Sequence, residues 1–273
     1  MAKLTQLICL ANSWKKGERC LAGVDVTTHQ WIRPICKDYP EDGRVPATIR
    51  LINEQEPALL DIIEIPLENE GNDFGFEAEN YWIGEGKWRK VGQAKVSDIV
   101  CCCGYYWNIL HNNNKYVTVP FLQHLPKAER RTLQLVYTRD FQVIGIPRST
   151  GITNWKGSVI TVNGQILENV SITDPKLTER LDQGENIQGA CLVTISLSMP
   201  RIPPGWEGGD PCWKLIAGVI ELTENDQILA EMQRLQWTID QGREYLINKY
   251  NKRSRSQLTS TELTEFLTYL QSL

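Results

Sequence analysis

No stretch of this 273-residue chain approaches the roughly 18 consecutive apolar residues that a bilayer-crossing helix needs, which argues against a helical membrane protein. Histidine is scarce: His29, His111 and His124 are the only three, and none lies four residues from another, so the spacing of a zinc hydrolase is missing. The chain also lacks a G-x-S-x-G elbow, a Walker loop and a G-x-G-x-x-G turn. Its eight cysteines include the run Cys101-Cys102-Cys103 but no C-x-x-C pair, which leaves no metal-finger pattern and no cofactor expected. Positive charge is not in excess either, with 29 Lys plus Arg against 33 Asp plus Glu. That balance excludes a protein that coats nucleic acid through bulk charge, while leaving room for a local basic face.

What is present is globular composition, 41% hydrophobic and 23% charged, at a length that allows two compact units. The short apolar start reaches Trp14, Lys15 and Lys16 without a small-residue cleavage site, so it reads as a first strand and not a leader. Leu4 to Leu10, Cys20 to Val26 and Trp31 to Ile35 form a meander, and Ala47 to Ile52 and Leu60 to Ile65 are further strand candidates. Five such strands suit a small closed barrel over residues 1–80. A looser segment, 81–130, reads as a connection between units.

A second β-rich unit spans 131–222, with strand candidates at Leu133 to Tyr137, Phe141 to Ile146, Ser158 to Val162, Leu167 to Ile172, Cys191 to Leu197 and Trp213 to Leu222. The Asn163-Gly164 step is a hairpin signal. Crowded Pro and Gly between Pro200 and Pro211 mark a long surface loop. From Thr223 the period becomes helical, with Ile228, Met232, Leu235, Ile239 and Leu246 on one stripe, and Thr259-x-x-Glu262 caps a second helix. The tail, 223–273, either packs on the preceding barrel or serves docking and self-association.

The segments Ile8 to Ser13, Gly17 to Gly23 and Trp31 to Ile35 resemble the amino-terminal signature of prokaryotic dual OB domain-containing proteins. Glu79-Asn80, Ser171 to Pro175, Ser196-Leu197 and Cys212 to Ile220 continue the resemblance in order, over about residues 3–222, while the Pro/Gly insertion after Ser198 departs from it. The resemblance implies a mainly β fold of two OB-like small barrels with a C-terminal α-helical appendix, and a role in nucleic-acid recognition, often in defence-type settings. It supplies no catalytic residues.

OB barrels bind across their second and third strands and the neighbouring loops, where aromatics stack bases and cations follow phosphates. The matching residues are Trp14, Lys15, Lys16 and Arg19 in the first loop, Trp31 and Arg33 on the third strand, Lys87, Trp88 and Arg89 in the linker, and Arg148, Trp155 and Lys156 in the second unit. Each has a structural alternative: Trp31 and Ile32 point to opposite faces, so one of them leaves the core, and Arg33 has Asp25 as a possible ion-pair partner. Cys9 with a histidine, Asp61 with Glu64, and Asp174 with Lys176 can be drawn as catalytic groups, but no surrounding motif supports them. The expectation is a non-enzymatic cytoplasmic accessory protein that binds nucleic acid, single-stranded or end-containing DNA or RNA in preference to duplex. The alternative is a protein-interaction or oligomerisation module with no direct nucleic-acid contact.

Overall fold

The computed structural model describes residues 2–105, 107–149 and 151–273. Strands β1 (Lys3–Lys15), β2 (Glu18–Asp25) and β3 (Trp31–Ile35) form the expected meander. Lys16 and Gly17, with φ of 48° and 84°, make the two-residue β1–β2 turn, a backbone twist that glycine adopts without cost. Helix α1 (Ala47–Arg50) occupies the segment that the sequence suggested as a strand; Pro46, extended at its N-cap, accepts from Ile49 N (3.0 Å) and Arg50 N (3.1 Å) and so closes a helical turn. Strand β4 (Asp61–Leu67) pairs with β1, and β5 (Asn80–Trp82) runs parallel to β3. Backbone bonds from Glu68 N to Trp82 O (2.9 Å) and Gly84 N to Pro66 O (2.8 Å) join β5 to β4 and close the ring. Strand β6 (Arg89–Gln93) then extends the same edge of β4.

After α2 (Val96–Ile99), β7 (Tyr116–Thr118) and α3 (Val119–His124), the second ring repeats this plan. Strand β8 (Leu133–Pro147) is one bulged strand where the sequence suggested two, because the register shift between Thr138 and Phe141 interrupts the alternation without breaking the pairing. It pairs with β9 (Thr153–Thr161), which pairs with β10 (Ile166–Ile172) across the Asn163-Gly164 turn. Helix α4 (Pro175–Asp182) follows, capped by Asp174, and then β11 (Gly189–Leu197) and β12 (Pro211–Glu221). β12 lies antiparallel to β11 and parallel to β10, and β11 returns to β8. Both rings are thus five-stranded Greek-key barrels of the OB type, each with a helix between its third and fourth strands. The segment 81–130, read from sequence as a connection, gives β6 to the first sheet and β7 to the second.

The two barrels pack on each other. Leu7 and Cys9 fill the first barrel, whereas Ile8 and Leu10, one step along the same strand, join a core with Leu135, Tyr137 and Leu192 of the second. A strand buried on both faces has no reason to alternate, which accounts for the unbroken apolar run at the start of the chain. Ala11 and Ala22 meet Leu133 and Ala217, small residues that let the sheets approach. Thr194 Oγ1 donates to Leu10 O at 2.8 Å, and a Cβ on Gly218 would stand only 2.4 Å from that oxygen.

The tail is three helices, α5 (Glu224–Arg234), α6 (Ile239–Tyr250) and α7 (Ser260–Ser272). The stripe read as one long helix breaks between α5 and α6, where Gln236 turns left-handed (φ 57°) and Thr238 with Gln241 forms a second capping box. Ile228, Leu246, Phe266 and Leu270 form a core of the tail's own. Helix α5 also docks on the second barrel through Glu231, which is fully buried and accepts hydrogen bonds from Arg139 (2.6 and 2.9 Å), Arg234 (2.6 Å) and Tyr137 (2.9 Å). Burial alone would raise this carboxyl's pKa, but the bonds from Arg139, Arg234 and Tyr137 outweigh it and hold the group below its ordinary value.

Two outcomes are expected. Gly218→Ala should lower stability by about 1–3 kcal/mol, read as an earlier denaturant midpoint, because the added methyl must push the two barrels apart. Glu231→Gln should cost about 1.5–3 kcal/mol at neutral pH by leaving the partly exposed Arg139 and Arg234 without their anion. A carboxyl whose pKa is depressed on folding stabilises above its unfolded value of 4.5 and stops doing so as pH falls through the folded one. Melting curves should therefore show the gap between wild type and variant closing as pH is lowered below about 4.5.

Candidate nucleic-acid interface

In the first barrel the face across β2 and β3 is covered. Trp31 does leave its own barrel, as strand alternation requires with Ile32 in the core, but it points into the joint, against Ala11, Ala22 and Leu133. It is half-buried by the second barrel, not open for stacking. Arg33 is 2% exposed and is paired with Glu77 (2.8 Å), not with Asp25. Its guanidinium also donates to Asn80 Oδ1 (3.1 Å) and, across the joint, to Thr132 Oγ1 (3.0 Å). Glu79 completes this polar knot by accepting from Thr132 N at 2.7 Å and Thr132 Oγ1 at 2.9 Å. Burial lifts the Glu79 pKa above its ordinary value, while Glu77 and Glu79 outweigh burial at Arg33 and hold it firmly charged. Arg33 and Trp31 therefore join the barrels and do not offer themselves to a ligand.

The other candidates of the first unit are mostly spent on acidic partners. Trp14 is 51% exposed, with the Arg19 guanidinium 3.6 Å over its ring. Arg19 is itself buried, 3.7 Å from Glu56. Lys15 donates to Asp42 O at 2.6 Å and Lys16 lies 3.1 Å from the buried Asp42 carboxylate. Trp88 is 4% exposed and plugs the first barrel's core beside Ile63 and Ile65, so the linker tract does not present it. Arg89, exposed like Lys87, pairs with Glu64.

The second barrel differs because it uses the outer face of β8, β11 and β12 for the joint, which leaves β9 and β10 open. On that open face lies a groove of about 610 Å³ between β10, β12 and the long loop 198–210. Lys156 on β9, Ser171 on β10, and Trp213 and Leu215 on β12 line it, with Lys115 on one side and Arg201, Ile202 and Pro203 of the loop on the other. The lining holds no carboxylate, thiol or imidazole, so it offers positive charge and apolar surface but no metal-ligand set. Lys156 donates to Ser171 Oγ at 2.6 Å. Burial, then the nearby Arg148 and Lys115, hold its ammonium below the ordinary lysine range. Among the described residues lining the groove, cations crowd with no acidic side chain beside them.

Trp213 forms the aromatic wall. Its ring lies 5.5 Å from Tyr116 and 5.9 Å from Trp206, and its indole donates to Arg201 O at 2.9 Å, tying the loop to the barrel. Lys214, one residue on, points the other way: it is 3% exposed and donates to Ile109 O (2.6 Å) and Asn112 O (2.7 Å). Burial pushes its pKa down to about 7. Arg148 sits exposed in the β8–β9 loop. Trp155 faces away from Lys156, as neighbours on a strand must, and donates to Asp182 of α4 at 2.7 Å.

Of the sequence candidates in the second unit, then, Lys156 lies in the groove, Arg148 flanks it electrostatically, and Trp155 lies on the opposite face. Lys115, Arg201 and Trp213 were missed. Trp213 and Arg201 are adjacent to signals that were available, the Cys212-Trp213-Lys214 block and the Pro/Gly loop, but Lys115 carries no pattern of its own. Cys9, drawn from sequence as half of a thiol dyad, is fully buried, and burial raises its pKa to about 12, which makes it inert as a nucleophile.

Comparison with known proteins agrees with this architecture. The profile of the dual OB-containing domain matches residues 5–219. An uncharacterized protein, slr1353, of Synechocystis sp. (strain ATCC 27184 / PCC 6803 / Kazusa) is 56% identical over 41 residues, a match that spans 15% of this chain and 14% of that protein. No solved structure matches. Two rings of the same strand order, within the span that the profile covers, leave one assignment: this chain belongs to the dual OB-containing domain family.

Proposed function

We propose that this protein is a non-enzymatic accessory factor that binds a single strand of DNA or RNA along the open face of its second barrel. The observation that carries the reading is the groove lined by Lys115, Lys156, Arg201 and Trp213 without one carboxylate. Phosphates would supply the anion that the crowded cations lack, and a base would lie against the indole. An edge-on duplex fits less well, since the groove is walled by the 198–210 loop on one side. The first barrel acts as the support that fixes the second in place, its own strand face being consumed in the joint.

Eight free thiols accord with a reducing, cytoplasmic setting. Among the described residues no helix is long and apolar enough to cross a membrane. Assembly through 223–273 has less support, because the tail buries its apolar stripe within the chain, with Ile239 the main apolar side chain left outside, at 76% exposure.

Fluorescence anisotropy of a labelled deoxythymidine or uridine oligomer, titrated at two salt concentrations, tests the proposal. Three phosphate contacts on a single strand should give a slope of log affinity against log salt of about −2. Lys115→Ala, Lys156→Ala and Arg201→Ala together should weaken binding by about tenfold or more and flatten that slope by about the same 2 units. Trp213→Leu should cost about 1–3 kcal/mol across sequences. No affinity at low salt overturns the reading. Loss of affinity on replacing Trp14, Lys15 and Lys16, with the groove variants unaffected, would move the site to the first barrel.

A further inference from the structure

The loop between β2 and β3 brings His29 against the turn that follows α2, although His29 and Cys101 are 72 positions apart in sequence. His29 Nδ1 lies 3.6 Å from Cys101 Sγ, and the ligand atoms of His29, Cys101 and Cys102 all fall within 4.8 Å of one another. We propose that these three side chains form a binding site for a zinc-class cation.

The 3.6 Å between His29 Nδ1 and Cys101 Sγ suits that ion. With bonds of about 2.3 Å to sulfur and 2.0–2.1 Å to nitrogen, a tetrahedral zinc holds N and S about 3.5 Å apart and two sulfurs about 3.8 Å apart. The donor set of one imidazole and two thiols, with no carboxylate in the cluster, selects a soft or borderline cation over magnesium or calcium. His29 and Cys101 are exposed and Cys102 half-buried, so the ion has an entry path and an open fourth position for water.

The supports on each side are built independently of any ion. Asp25 Oδ1 accepts from Thr27 N (2.9 Å) and Thr28 N (2.7 Å), and His29 N donates to Asp25 O (2.9 Å), which locks the loop that presents the imidazole. Cys102 packs on the core shared by the barrels, and Cys103, the third of the run, is buried away from the cluster. A cation here would staple the first barrel's loop to the segment that leads to the second barrel.

The test uses the full chain, freed of metal and kept reduced by a phosphine. Cobalt(II) titration should produce a thiolate charge-transfer band in the near ultraviolet and visible bands of tetrahedral intensity, saturating at one equivalent and erased by zinc. His29→Ala, Cys101→Ser and Cys102→Ser should each weaken cobalt binding by about tenfold or more, while Cys20→Ser leaves it unchanged. The exposed positions of His29 and Cys101 keep those two variants folded, which their melting curves without metal should verify. Absence of the thiolate band, or its survival in the Cys101→Ser and His29→Ala proteins, overturns the proposal.

Discussion

A buried guanidinium holds this molecule together. Arg33 carries its charge into the joint between the barrels, where Glu77 neutralises it and Asn80 and Thr132 each accept a further guanidinium hydrogen bond. Removing one partner of such a pair costs about 3–5 kcal/mol because the other is left charged and dry, so the knot tolerates little change. Around it the contact is apolar and close, set by Ala11, Ala22, Ala217 and Gly218. The polar knot adds directional bonds between Arg33, Glu79 and Thr132 to that apolar contact.

That joint also divides labour between two barrels of the same plan. The first gives up the outer face of its early strands, the region an OB barrel ordinarily offers to a ligand. The second is held by β8, β11 and β12 and keeps β9 and β10 open. The loop 198–210 is what turns that open face into a groove, because Trp213 pins it through Arg201 O. Charge follows the same division. In the first barrel Lys16 is paired with the buried Asp42, whereas at the groove Lys156 has Arg148 and Lys115 near enough to lower its pKa.

The tail is bound into the same core. Glu231 satisfies Arg139 and Tyr137 of β8, and Ala230 joins the cluster that contains Ile8 and Leu10. One continuous apolar layer therefore touches the first barrel, the second barrel and the helices.

Strands, hairpins and helix caps were legible in the chain because they are local. Asn163-Gly164 turns where its backbone freedom allows, Thr259 and Glu262 cap a helix by reaching three residues, and the opposition of Trp31 and Ile32 follows from a period of two. The family resemblance supplied the paired barrels. Alternation, however, says only that a strand has two faces, not what covers each one. That Trp31 meets another barrel, that Arg33 finds Glu77 and not Asp25, that Trp88 is a plug, and that Lys115 stands beside Lys156 all depend on segments far apart in sequence. Those contacts arise when two closed sheets are pressed together, and no local period records which surface will be pressed.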